Sequence, residues 1–98
     1  MTIEIKKNAD VATIEIAGRL DTTTAPMLDK TINEEIGDAK HLILDIKDLN
    51  YISSAGLRVL LSAQKKMQKL GSMKVVNVCQ EIMEIFEMTG FADILVIA

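Results

Sequence analysis

Tryptophan is absent from these 98 residues, and the aromatics are limited to one tyrosine and two phenylalanines. Any core therefore rests on Ile, Leu, Val and Met rather than on packed rings. A single cysteine, Cys79, excludes an intramolecular disulfide; set in the apolar run "VVNVC", it reads as packing rather than redox chemistry. The single histidine, His41, opens an apolar run well before the only paired serines. Basic charge is not in excess. Lys and Arg number 11 against 14 Asp and Glu, a formal net charge of −3, which argues against the cationic footprint of a direct nucleic-acid binder. No apolar run approaches the ~20 residues that span a bilayer. The opening "MTIEIKKNAD" alternates polar and apolar residues instead of forming a signal peptide's apolar core. These absences lead to the expectation of a soluble, cytoplasmic protein without membrane insertion.

What is present suffices for one domain, residues 1–98, with 49% hydrophobic and 26% charged residues, a folding rather than a disordered balance. Ile3 and Ile5, then Val11, Ile14 and Ile16, alternate around "KNAD" and predict a hairpin with Asn8 and Asp10 in the turn and Gly18 at the end of the second strand. "DTTTAPMLDKTINEEI" shifts to helical spacing, with Met27, Leu28, Ile32 and Ile36 on one stripe. Thr22, Thr23 or Thr24 is the expected cap, Pro26 suits the first turn, and Gly37 ends the helix. "HLILDI" lacks alternation and reads as a strand covered on both faces, followed by a loop, "KDLNYISS". A helix from Ser54 to Leu70 carries Leu57, Leu60, Leu61, Met67 and Leu70 on its stripe and stops at Gly71, while Lys65, Lys66 and Lys69 fall on its wet side. "MKVVNV" reads as another buried strand, "QEIMEIFEMTG" as a short helix, and "ILVIA" as a last strand. The sum is an α/β domain: a mixed sheet of four to five strands, an antiparallel N-terminal hairpin with later strands parallel, and about three helices. Functional groups collect where strands end and helices begin. That places "GRLDTTTA" and "DLNYISSAG" on one rim, with Asp21, the threonines, Asp48, Ser53 and Ser54.

Two adjacent serines before an apolar helical run invite several readings. A helix N-cap uses one of them, its oxygen accepting a free backbone N–H, worth roughly 1 kcal/mol. Nucleophilic catalysis would need a base, and His41 lies at the far end of the preceding strand. "SSAGLR" has one glycine and no Gly-Lys pair, so it is no phosphate-binding loop. An aspartate-phosphorylated pocket built on Asp45 and Asp48 would need an acidic pair after the first strand, which "TIEIKKN" does not supply. A further reading takes one serine as the acceptor of a phosphoryl group. The new charge of about −1.5 to −2 would meet free N–H groups and a positive dipole end at the helix start.

"DLNYISSAGLRVLL" resembles the signature of the STAS domain, the family named for sulphate transporters and anti-sigma factor antagonists. Its positions are taken here by Asp48-Leu49, Tyr51-Ile52 and Ser53-Ser54-Ala55-Gly56-Leu57. "GRLDTTTA" resembles the family's other landmark at Gly18, Leu20 and Asp21, and "GFADILVI" its ending at Gly90 and Phe91. The chain departs from the pattern at Ser53, where the family usually has Asp, and at Arg58, where it often has a second Gly.

The resemblance implies a bacterial anti-sigma factor antagonist, not an enzyme. Unmodified, such a domain binds an anti-sigma factor that is also a serine kinase, releasing a sigma factor; phosphorylation ends the complex and a metal-dependent serine phosphatase restores it. It places the phosphoacceptor on Ser54, with Ser53 as secondary candidate, and Asp21 beside the acceptor loop. Ser53, Ser54, Arg58, Val59 and Ser62, with Asp21, form the expected partner surface, Val59 as an exposed apolar contact off the core stripe. Arg58 reads as a solvated helix residue, or as a cation pairing with a phosphate or a partner's carboxylate four residues from Ser54. No cofactor and no metal are expected, and nucleotide binding at the rim is left open. The rival reading is a constitutive scaffold subunit of a transporter-associated ATPase complex, in which Ser54 only caps a helix.

Overall fold

Alternating Ile, Glu and Lys residues at the start of the chain build two antiparallel strands, β1 (Thr2–Asn8) and β2 (Val11–Leu20). In the computed structural model, which describes residues 1–98, Ile3 pairs with Ile16 and Ile5 with Ile14, so one face of the hairpin is apolar. Asn8 forms the last rung, with Val11, and the turn itself is Ala9–Asp10, Ala9 taking the left-handed conformation that a two-residue hairpin loop demands (φ 55°).

Two parallel strands follow, β3 (His41–Ile52) and β4 (Ser72–Val76), joined through helices α1 (Ala25–Glu34) and α2 (Ser54–Leu70). The sheet order is β1-β2-β3-β4. Helix α3 (Gln80–Thr89) and a single 3-10 turn, Phe91–Asp93, complete the chain. Ala12, Ile14, Ile16 and Leu20 of β2, Leu42, Leu44, Ile46, Leu49 and Ile52 of β3, and Met73 and Val75 of β4 are all buried, and they join Leu28 and Ile32 of α1, Leu60 and Met67 of α2 and Phe86 of α3 in one core. No helix is long and apolar enough to cross a membrane.

Several expectations need correction. Neither β3 nor β4 is covered on both faces: their burial alternates, and Ile43 and Asp45 stand half-buried on the side the helices leave open. β3 also runs six residues beyond "HLILDI", to Ile52. It pairs with β2 through two register shifts, at Glu15/Ala17 and Gly18/Arg19, and at each the longer side is β3. Each extra residue leaves two exposed positions between buried ones, Lys47-Asp48 between Ile46 and Leu49, then Asn50-Tyr51 before Ile52. A strand bulged twice loses its period of two, and so it read as a loop. β2 correspondingly continues past Gly18 to Leu20, Gly18 taking φ 97° at the second shift.

The expected last strand is one isolated bridge, Val75 to Ile97, because the 3-10 turn brings the chain to the β4 edge only at its end. The sheet thus has four strands. α1 ends at Glu34 rather than Gly37, and Met27 lies 51% exposed, about 100° around the helix from Leu28. Leu70, in the last turn of α2, is also exposed.

Candidate functional site

The pairing of β2 with β3 ends at Leu20 and Ile52, so the two chains leave the sheet side by side. The Ser53 amide donates to the Leu20 carbonyl at 2.9 Å, tying the start of α2 to the end of β2. Ser53 is extended (φ −98°, ψ 176°), and its hydroxyl oxygen accepts from the Gly56 amide at 3.4 Å: it is the N-cap. Ser54 is the first residue of the helix, exposed, with a hydroxyl that enters no hydrogen bond within the chain.

Gly56 holds this end of α2 against the sheet. A Cβ there would sit 2.7 Å from the Leu20 side chain and 2.9 Å from that of Ile52. The glycine serves a close approach of helix to strands rather than an unusual torsion. Both serines are thereby fixed at the sheet's edge, Ser53 turned to the backbone and Ser54 to solvent.

Across from them, Asp21 organises the loop into α1. Its Oδ1 accepts from the amides of Thr23 (3.0 Å) and Thr24 (3.1 Å). The Thr24 hydroxyl accepts from the Asp21 amide and donates to the Arg19 carbonyl, each at 2.8 Å. The expected threonine cap is therefore replaced: Thr24 occupies the N-cap position without a capping side-chain bond, and the first helical amide, that of Ala25, donates to the Asp21 carbonyl at 2.8 Å. The Thr24 amide does most to hold the Asp21 carboxyl below the usual carboxylate range; partial burial opposes it, and the Thr24 hydroxyl, the Thr23 amide and the Arg19 charge add to the lowering.

Arg19 and Tyr51 also belong to this rim, as a pair that their positions in the sequence do not bring together. They pair across β2 and β3, the Arg19 guanidinium lies 4.0 Å from the Tyr51 ring centre, and its Nε is 3.8 Å from Asp21 Oδ2. Their signal was the register of two strands, which the bulges concealed. Asp48 is the opposite case. It pairs with Ala17 and lines a cleft on the open sheet face with Glu4, Glu15, Asp45 and Lys47, away from the serines. The second bulge separates it from the rim. No group of three His, Cys, Asp or Glu converges in the geometry of a metal site.

Arg58, Val59 and Ser62 line an open cleft between α2 and the start of α1, facing Thr22, Ala25, Pro26 and Asp29. Val59 is half-buried against the core rather than exposed, so it contributes floor to this cleft and not a protruding contact. Arg58 is exposed and absent from the ion pairs of the molecule, which are Lys6–Glu15, Arg19–Asp21 and His41–Asp10. His41 Nδ1 lies 2.7 Å from Ser72 Oγ at the other end of the twelve-residue β3, so the one histidine is remote from Ser54. Cys79, half-buried, has its sulfur 3.8 Å from the Leu49 carbonyl.

Comparison with known proteins meets the resemblance seen in the sequence. The family described as STAS domain matches residues 2–98. The anti-sigma-B factor antagonist of Bacillus subtilis (strain 168) is 29% identical over 96 residues, covering 97% of this chain and 88% of the relative. The anti-sigma F factor antagonist of Paenibacillus polymyxa is 30% identical over 98 residues, covering 97% and 84%. The solved structure of the Bacillus cell fate determinant SpoIIAA in its phosphorylated form superposes with a TM-score of 0.77 at 17% identity, over 99% of this chain and 91% of that one.

Proposed function

We propose that this chain, which belongs to the STAS domain family, is an anti-sigma factor antagonist switched by phosphorylation of Ser54. One observation carries the reading: of two adjacent serines, Ser53 is spent on the helix cap and Ser54 is presented free at the exposed helix start. A scaffold needs only the cap. Support comes from relatives that are anti-sigma factor antagonists and from a neighbour of the same fold that is itself phosphorylated.

In the unmodified state the rim formed by Asp21, Ser53, Ser54, Arg58, Val59 and Ser62 docks an anti-sigma factor that is a serine kinase, and a sigma factor is set free in the cytoplasm. The kinase transfers a phosphoryl group from ATP to Ser54, with the hydroxyl proton leaving. The helix N-terminus tolerates the added anion. The bound partner does not, because like charges brought together in a contact that excludes water cost several kcal/mol. A serine phosphatase resets the switch. The chain's own residues perform no chemistry beyond presenting the acceptor.

Incubation with the cognate kinase and ATP, read by intact mass, should add one phosphate. Ser54→Ala should abolish it, whereas Ser53→Asn, which keeps a capping oxygen, should retain it. Phosphate retained in Ser54→Ala would overturn the assignment.

A further inference from the structure

We infer that Arg58 is the built-in counter-ion of a phosphorylated Ser54, and that modification therefore withdraws a cation from the partner surface as well as adding an anion to it. The inference rests on Ser54 being the acceptor and extends that reading to what the phosphate does next.

Three observations converge on Arg58. The first is place: Ser54 and Arg58 are the first and fifth residues of α2, both exposed, one turn apart on the same helix face. Side chains four apart are neighbours, and an anion preceding a cation is the favourable order along a helix. The second is availability. The chain's other arginine, Arg19, is already engaged with Asp21 and the Tyr51 ring, and Lys66 reaches back to the Ile32 carbonyl at 3.2 Å. Arg58 has no ion-pair partner, and α2 contains no acidic residue to compete for it. Asp29, on the far side of the cleft, faces it without forming a pair. The third is support: Ala55 and Val59, the neighbours of Ser54 and Arg58 in the chain, pack against the core, so this face of the first two turns is held in place.

A guanidinium matches phosphate oxygens in fork geometry, and a charge-assisted pair of this kind is stronger than a neutral hydrogen bond. Before modification Arg58 stands free at the cleft mouth for a carboxylate of the partner. Afterwards it turns one helical turn back to the phosphate.

The test requires no kinase. The full chain is produced with phosphoserine installed at position 54 during synthesis, and the phosphate is titrated by ³¹P NMR in wild type, Arg58→Gln, Arg58→Lys and Lys65→Gln backgrounds. The second phosphate pKa, ordinarily ~6, should be lower in wild type than in Arg58→Gln by about 0.2–0.4 unit, as expected for an exposed helical pair. Arg58→Lys should recover part of that difference, Lys65→Gln should leave the wild-type value unchanged, and the Arg58 Nε–H resonance should move with the same midpoint. Asp21, Arg19 and Asp29, the other charged groups at this end, are common to every variant. Equal midpoints in wild type and Arg58→Gln would overturn the inference, as would an equal shift from Lys65→Gln, the mark of a diffuse field. If instead the kinase experiment fails while this titration succeeds, the acceptor reading and the effect on the partner surface are lost, and the pairing of Arg58 with a phosphate at position 54 stands.

Discussion

At the start of α2 a single hydrogen bond, Gly56 amide to Ser53 Oγ, separates a structural serine from a presented one. Asp21 makes the complementary commitment in the facing loop. Its folded-state pKa is depressed, chiefly by the Thr24 amide, so the carboxylate's contribution is present above its unfolded value and is lost as pH falls through the lower folded one. Asp21→Asn keeps an oxygen for the Thr23 and Thr24 amides and removes only the charge. We expect its thermal midpoint near pH 7 to stay close to wild type while partner affinity or phosphorylation rate changes. Acid-side loosening of the loop, followed through the Thr23 and Thr24 amide signals, should disappear. Asp21→Ala removes the acceptor as well, and should lower the midpoint further. A large loss of stability in Asp21→Asn with normal phosphorylation would make Asp21 a loop anchor alone. The placement of Ser54 and Asp21 at one sheet edge was legible in the sequence because both sit in motif segments whose spacing survives without the fold. Arg19 and Tyr51 were not, since they meet only through a strand register, and Asp48 was misplaced for the same reason.

Among the elements, α2 was read correctly to both ends because its apolar spacing, its capping serine and its terminal glycine agree. β3 shows the reverse. Two bulges turn "KDLNYI" into a repeat of one buried and two exposed residues, a pattern that matches no regular strand. The last strand failed for a different reason: its alternation is real, Leu95 being buried and Val96 exposed, but only one rung finds a partner on β4. The junction of α2 with β2 and β3 carries its own prediction. Gly56→Ala places a methyl against Leu20 and Ile52 where neither can move without disturbing the core, and should destabilise the domain by about 1–3 kcal/mol despite alanine's better helix propensity. Urea unfolding should show this loss, and the double variant with Leu20→Ala should lose less than the sum of the two single changes. Additive losses would mean that the helix start has room to shift.

For the whole molecule, phosphorylation should be a change of surface rather than of fold. The proposed acceptor, Ser54, lies outside the core, on a helix start already pinned by Ser53 and Gly56. Amide spectra of modified and unmodified protein should therefore differ mainly along the first turns of α2 and through Arg19–Ala25, with β1 and β4 unchanged; shifts spread across the sheet would defeat this local account. The strand order carries a further consequence. Because β1, β2, β3 and β4 lie in the sheet in the order in which they occur in the chain, each strand finds its neighbour already made when the protein is synthesised from its N-terminus. The hairpin closes over a two-residue turn, and each parallel strand then requires the closure of one helical crossover, from Val11 to His41 and from His41 to Ser72. The contacts that present Ser54, from the Leu20 carbonyl, the Asp21 loop and the Gly56 seat, all lie between residues 19 and 57. During synthesis, every residue that shapes this rim has therefore been added before β4 and α3 arrive to complete the core.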